Sequence, residues 1–304
     1  MANGIHVDAW TADELYGRDS AFLDGLDDRK LAFVVEIPSD SHVWLSKPKV
    51  LQKPPKNAKG RRKKYPRLAR RDAKTCEVRS LAKYSPSFTQ QNAQKYKTRD
   101  GSRGAEVWEI KWHTCWRKTK TPGLVSRQCI LIVARNVLTG EVKYFLSNRV
   151  PNRGGWTLRR ILRVAFERWS VEGCFREAKE EVGFDHFECR GWRCIHRHLY
   201  AAILGQLFCA QTRKRLSPSE DVLSGELLTM EQVRRATDIV IATSDLSRRD
   251  RDRKLAHEAK RQQYYARRNA AAAKSHQKTR RKRLKELGID PDKIKSIAVS
   301  RNNN

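Results

Sequence analysis

The sequence predicts an α/β protein whose core is interrupted by a basic, strand-containing insertion and followed by a basic helical C-terminal region. Three observations predict it. Residues 1–45 compress a strand, a helix and a strand into a span that requires a parallel crossover. Residues 105–148 carry strand-type runs joined by a hairpin turn. From Thr157 onward, the apolar residues recur at helical spacing. The boundaries read as 1–46 for the first core segment, 47–148 for the insertion, 149–212 for the second core segment and 213–304 for a basic tail, helical or partly disordered.

In the first segment, Ile5 to Ala12 has strand character and ends at Asp13. Gly17 supplies a turn, and Asp19 caps a short helix with Phe22, Leu23 and Leu26 on its apolar face. Leu31 to Ile37 is a buried-type strand stopped by Pro38. This segment is acidic, with nine Asp/Glu against three Lys/Arg. Residues 47–103 invert the balance: nineteen Lys/Arg against three acids, a net +16, broken by Pro48, Pro54, Pro55, Gly60 and Pro66. The cationic run Arg61, Arg62, Lys63, Lys64, with Arg70 and Arg71 after it, reads as a flexible or partly ordered arm that meets phosphates.

Ala105 to Trp112 alternates as a strand, Gln128 to Ala134 is a buried run, and Glu141 to Leu146 pairs back through Thr139-Gly140. Trp108, Trp112 and Trp116 recur every fourth residue and read as packing residues. One helix is expected from an N-cap at Thr157 to a C′ glycine at Gly183. A loop follows, then a largely apolar helix near 195–212. Thr229 and Gln232 have capping-box spacing. Residues 246–304 hold nineteen Lys/Arg and six acids, a net +13; the helix they favour has a thin apolar face, so order is expected only on a polyanion or partner.

Charge bounds the partner. The 304 residues carry 64 Lys+Arg against 34 Asp+Glu, a formal +30. Such an excess selects a polyanion, and nucleic acid is favoured over a membrane because no run reaches the roughly 18 apolar residues of a spanning helix. No secretory signal opens the chain, so the seven cysteines read as reduced thiols of an intracellular protein. Cys189, Cys194, His196 and His198 lack the paired spacing of a zinc site, and the two histidines point to different sides of a helix.

The stretch with the most chemistry is Arg168 to Lys179. Glu172 continues the stripe Leu158, Ile161, Leu162, Ala165, Trp169, Phe175, so it is expected on the buried side, where a carboxylate needs a partner. Arg168 lies one turn before it and Lys179 two turns after. By spacing alone this reads first as a helical ion pair worth about 0.3–0.5 kcal/mol. A metal-binding role requires a second carboxylate from elsewhere.

Thr11-Ala-Asp13-Glu-Leu-Tyr16-Gly17 resembles the second catalytic Asp motif of DDE-type insertion-sequence transposases, which have a ribonuclease H-like fold. Arg168-x3-Glu172-x6-Lys179 resembles the end of their Y-x2-R-x3-E-x6-K signature. Gly183-Phe-Asp185, Arg190-Gly-Trp192, His196 and His198 are similar to the residues downstream of that glutamate in the family. The resemblance covers about residues 1–210. It implies a partial ribonuclease H-like core and metal-dependent phosphodiester cleavage and strand transfer. Asp13 and Glu172 would be catalytic carboxylates on a two-ion Mg²⁺ or Mn²⁺ site, with Arg168, Lys179 and Arg176 supporting the glutamate or touching DNA phosphate.

Double-stranded DNA is the implied partner, with a homodimer on DNA and no membrane. Arg280, Arg281, Lys282 and Arg283 of the tail join the nucleic-acid contacts. The implied location is a bacterial cytoplasm at the nucleoid. Two departures qualify the likeness. Ala165, beside Phe166, stands where the signature has tyrosine. Only twelve residues precede Asp13, so the first catalytic Asp is not matched. The expectation is an N-terminally truncated copy, inert by itself. The competing reading is a non-catalytic nucleic-acid-binding protein in which Asp13 and Glu172 are structural.

Overall fold

The computed structural model describes residues 6–51, 67–70, 73–121, 124–216 and 228–297. Arg61, Arg62, Lys63, Lys64 and Arg71 therefore lie outside the described residues. The chain forms two compact units, residues 1–168 with 273–304, and residues 169–272. These bounds fall elsewhere than the expected segments: the whole insertion joins the first core segment, and the end of the tail returns to it.

In the first unit, β1 (Trp10–Ala12), α1 (Glu14–Gly17), α2 (Ser20–Asp28) and β2 (Phe33–Ile37) form the expected crossover, with β1 parallel to β2. Asp19 accepts from Ala21 N at 2.8 Å as the cap of α2. All of β2 is buried. Next come β3 (His42–Trp44), β4 (Val50–Leu51) and β5 (Arg67–Leu68), the last two a separate antiparallel pair. β6 (Cys76–Glu77), α3 (Val78–Tyr84) and α4 (Pro86–Thr89) follow. Part of the supposed arm is thus core, because Val78, Leu81 and Phe88 are buried against Val43, Cys115 and Cys129.

β7 (Gln94–Gly101), β8 (Gly104–Arg117), β9 (Cys129–Asn136) and β10 (Val142–Ser147) complete the antiparallel part. The order is β1-β2-β10-β9-β8; beyond β8, the sheet continues to β7 along one half of that long strand and to β3 and β6 at its end. The turn at Thr139-Gly140 joins β9 to β10 as expected, with Gly140 at φ 73°. Trp108 is buried and Trp112 packs partly buried on the same face, in keeping with packing roles.

Both faces of the sheet are covered. On one, α5 (Leu158–Glu167) lays Ile161, Leu162 and Ala165 against Val34, Ile130, Ile132 and Phe145. Each large aliphatic side chain so buried is worth about 1.5–3 kcal/mol. Phe166 stacks between Trp108 and Phe145 at 5.2 and 5.5 Å. On the other face, α2 and α3 cover Phe33, Val35, Ile37, Leu131 and Leu146.

Arg117 ties that second face together. Its side chain is 5% exposed and donates to Asp24 Oδ1 and Asp27 Oδ2, each at 2.7 Å. Asp27 Oδ1 then accepts from Asn148, whose amide also donates to Leu31 O and accepts from Phe33 N. One network so joins α2, β2, β8 and the end of β10.

The second unit holds α6 (Trp169–Val182), α7 (Trp192–Leu216), α8 (Met230–Ala242) and the first part of α9 (Arg248–Glu286). The capping box on α8 is as expected: Gln232 N donates to Thr229 Oγ1, and Thr229 N donates to Gln232 Oε1. Arg234 bridges α8 to Glu181 of α6 at 3.0 Å. The helix that the tail favours is present, and its far end is where the structure adds to the expectation. α9 runs 39 residues as one helix, and its far end is anchored in the first unit. Leu284 is fully buried with Val107 and Ile289, and β11 (Lys295–Ser296) adds to β7 in parallel. A few apolar residues at the helix end suffice, because the sheet edge they meet is already built.

All seven cysteines are free thiols. Burial pushes Cys129 up to about 12, and Cys115 rises as well for the same reason. Among the described residues, no helix is long and apolar enough to cross a membrane.

Replacing Arg117 with Met should cost about 3–5 kcal/mol, because Asp24 and Asp27 would keep their charges without a buried partner. Urea denaturation reads this directly; a loss under about 1 kcal/mol would show the network to be dispensable.

Candidate functional site

Asp13 sits where β1 ends and α1 begins. It is the N-cap of α1: its Oδ1 accepts from Leu15 N at 3.1 Å and Tyr16 N at 3.4 Å. Among the described residues, no bond is made to its other oxygen. The cap fixes the carboxylate at the C-terminal end of a parallel strand while leaving Oδ2 open. Gly17, at the end of α1, is required by packing. A Cβ there would lie 1.9 Å from the Glu36 carbonyl oxygen, so the glycine lets α1 pass close over β2.

Glu36 is the residue that sequence reading missed. In register, Ala12 pairs with Val35, which places Asp13 and Glu36 at successive positions on neighbouring strands. Glu36 is buried, and both its oxygens face cations: Oε1 at 2.9 Å from Lys143 Nζ, and Oε2 at 3.6 Å from Arg168 Nε. A carboxylate inside the apolar run Phe33-Val-Val-Glu-Ile37 was the signal that could have found it.

Arg168 therefore has a defined place in the first unit, with Glu36 as a carboxylate partner that sequence spacing did not indicate. The single helix expected over Thr157–Gly183 is interrupted there, although Arg168 keeps helical dihedrals at φ −50° and ψ −37°. Its two ends hold as expected: Thr157 accepts from Arg160 N at 3.2 Å, and Gly183 has φ 64°.

Glu172, Arg176 and Lys179 belong to α6 in the second unit, while Asp13 and Arg168 belong to the first. Glu172 is exposed, contrary to the expected buried stripe; Phe175 and Trp169 are exposed as well, and Ala178 is the buried residue of α6. The apolar stripe is buried through α5 and exposed beyond Arg168, and Glu172 lies in the exposed part. Lys179 Nζ lies 3.9 Å from Asp185, and the Arg176 guanidinium lies 6.0 Å from the Trp169 ring.

His196 and His198 diverge as expected. His198 bonds the Gly183 carbonyl at 2.7 Å, and His196 packs on Trp192 at 4.1 Å. Among the described residues, no group of three or more His, Cys, Asp or Glu could hold a metal ion. The open carboxylate oxygen of Asp13 is nevertheless a hard donor of the kind Mg²⁺ or Mn²⁺ prefers.

Among the cations, Arg70 is exposed, as are Arg281, Lys282 and Arg283 on α9, whereas Arg280 is half-buried. Arg281 is paired with Asp292.

Residues 1–105 match the DDE superfamily endonuclease family. The match includes β1, Asp13 and β2, and ends before Glu172. No curated protein matches the chain.

Two substitutions test how the Asp13 end is built. Gly17→Ala should destabilise by about 3 kcal/mol, since backbone rather than a flexible side chain blocks the new methyl. Glu36→Gln should cost about 2 kcal/mol by weakening its charge-assisted bond to Lys143. Thermal and chemical denaturation read both, and neutral results would mean the strand end tolerates repacking.

Proposed function

We propose that this DDE-transposase-type chain handles double-stranded DNA, with Asp13 and Glu172 as two carboxylates of a metal-dependent phosphodiester site. The observation that carries the reading is the match over residues 1–105, because within it Asp13 stands at a strand end with one oxygen uncommitted. Divalent Mg²⁺ or Mn²⁺, when bound, would polarise the phosphate and lower the pKa of an attacking water or 3′-hydroxyl. The chain's own contribution is geometric. Capping α1 holds the Asp13 carboxylate in one orientation, and the Gly17 passage keeps that turn pressed on β2. The formal +30 suits phosphate contacts that are mainly electrostatic.

A second reading is favoured by one observation: the capping bonds alone account for Asp13 as a structural residue. On that reading, the chain binds nucleic acid without cutting it.

One experiment separates the readings. The purified chain is mixed with supercoiled plasmid and Mg²⁺, alongside Asp13→Asn and Glu172→Gln. Asn caps a helix about as well as Asp, so Asp13→Asn removes the charge with little loss of stability. All three proteins should bind duplex, with affinity falling steeply as salt rises. Nicking by the parent that both variants lose would establish catalysis by this chain. No binding at low salt would sink the DNA reading altogether.

A further inference from the structure

A cavity of about 210 Å³ opens at the other end of β2 from Asp13, lined by Asp27, Lys30, Arg127, Asn148 and Arg149. Its place follows from register: Ser147 pairs with Val34, and Asn148 beyond it bonds Phe33 N. Every lining residue belongs to the first unit. At roughly 30 Å³ per water, the space holds a small tetrahedral oxyanion with solvent.

The lining is built and its charge is unbalanced. Asp27, the one acid, has both oxygens committed, to Asn148 and to Arg117. Asn148 is in turn held by Leu31 O and Phe33 N. Arg149 is positioned by a bond from its terminal nitrogen to Lys30 O at 3.0 Å and by the Trp156 ring at 5.9 Å, and its Nε is buried without a partner. Among the described residues, the side chains of Lys30 and Arg127 have no hydrogen-bond or ion-pair partner. Three cationic groups thus line a cavity whose carboxylate is already neutralised.

Lys30 is also placed at a cost. It follows α2 in the left-handed region, at φ 57°, where its N donates to Asp27 O and Leu31 N donates to Leu26 O. This is the helix-ending position that glycine fills most easily. A lysine there gives up backbone ease and brings an ammonium to the cavity rim.

We propose that this cavity is a phosphate-binding site, taking either free phosphate or a backbone phosphodiester. Guanidinium and ammonium groups gathered at one surface cavity favour such an oxyanion over chloride, because a tetrahedral anion accepts several charge-assisted bonds at once. The site is distinct from the Asp13 end, and only its duplex form rests on the DNA reading above.

The test uses the full chain and inorganic phosphate, titrated by calorimetry against sodium chloride of equal ionic strength. Saturable binding in the millimolar range or tighter is expected, with no counterpart in chloride. The double variant Lys30→Gly with Arg127→Gln should bind at least tenfold more weakly. Its melting temperature should hold or rise, since glycine relieves the left-handed backbone at position 30. Equal responses to phosphate and chloride, or unchanged affinity in the folded double variant, would overturn the proposal. Duplex DNA titrated across salt concentrations identifies the source. Removing two phosphate contacts should lower the salt slope by about 2 if the backbone is the ligand. An unchanged slope alongside lost phosphate binding would assign the site to free phosphate. Failure of the parent to bind duplex would sink the DNA reading while leaving the phosphate titration to stand.

Discussion

The buried guanidinium of Arg117 is the constraint on which the first unit depends. A cation taken this far out of water is tolerated only when its partners are fixed and well placed. Asp24 and Asp27 supply them from one turn of α2, which locks that helix to the end of β8. Because α2 connects β1 to β2, the same bonds limit how the parallel strands can shift. Asn148 carries the restraint on to β2 and the end of β10. A hydrophobic face alone would let α2 slide; the charged network gives it one register.

That arrangement divides the acidic residues of the N-terminal segment into two kinds. Asp24, Asp27 and Glu36 are consumed internally, by Arg117 and Lys143 above all. Asp19 caps a helix, and Asp40 pairs with Arg18. Asp13 also caps through a single oxygen, and what sets it apart is its place at the end of β1, inside the matched family segment. Much of an acidic block by composition is thus scaffolding. The same neutralisation has a converse effect at the far end of β2. There, with Asp27 committed, Lys30, Arg127 and Arg149 face a cavity with no competing anion of their own.

Local signals were legible wherever a residue's role depends on its near neighbours in the chain. The caps at Asp19, Thr157 and Thr229, the glycine at Gly183, the turn at Gly140 and the parallel crossover all arise from short patterns with strong stereochemical preferences. The partner of a long cation does not arise from such patterns. Spacing points Arg168 to Glu172, but no local pattern points it to Glu36, more than a hundred residues earlier, which it meets at 3.6 Å. Likewise, the span 47–103 advertised its charge, while Val78, Leu81 and Phe88 decided that part of it is core.

The sequence by itself determined the α/β class, the crossover from β1 to β2, the hairpin of β9 and β10, the cationic character and the Asp13 motif, because each rests on periodicity, capping or formal charge. Tertiary structure decided the rest. It placed α9 and β11 against the β7–β8 sheet edge, exposed Glu172, buried Glu36 between two cations and gathered three cations around one cavity. These depend on which distant segments share a surface. A side chain's burial and its charge partners are properties of that shared surface, and no local pattern encodes them.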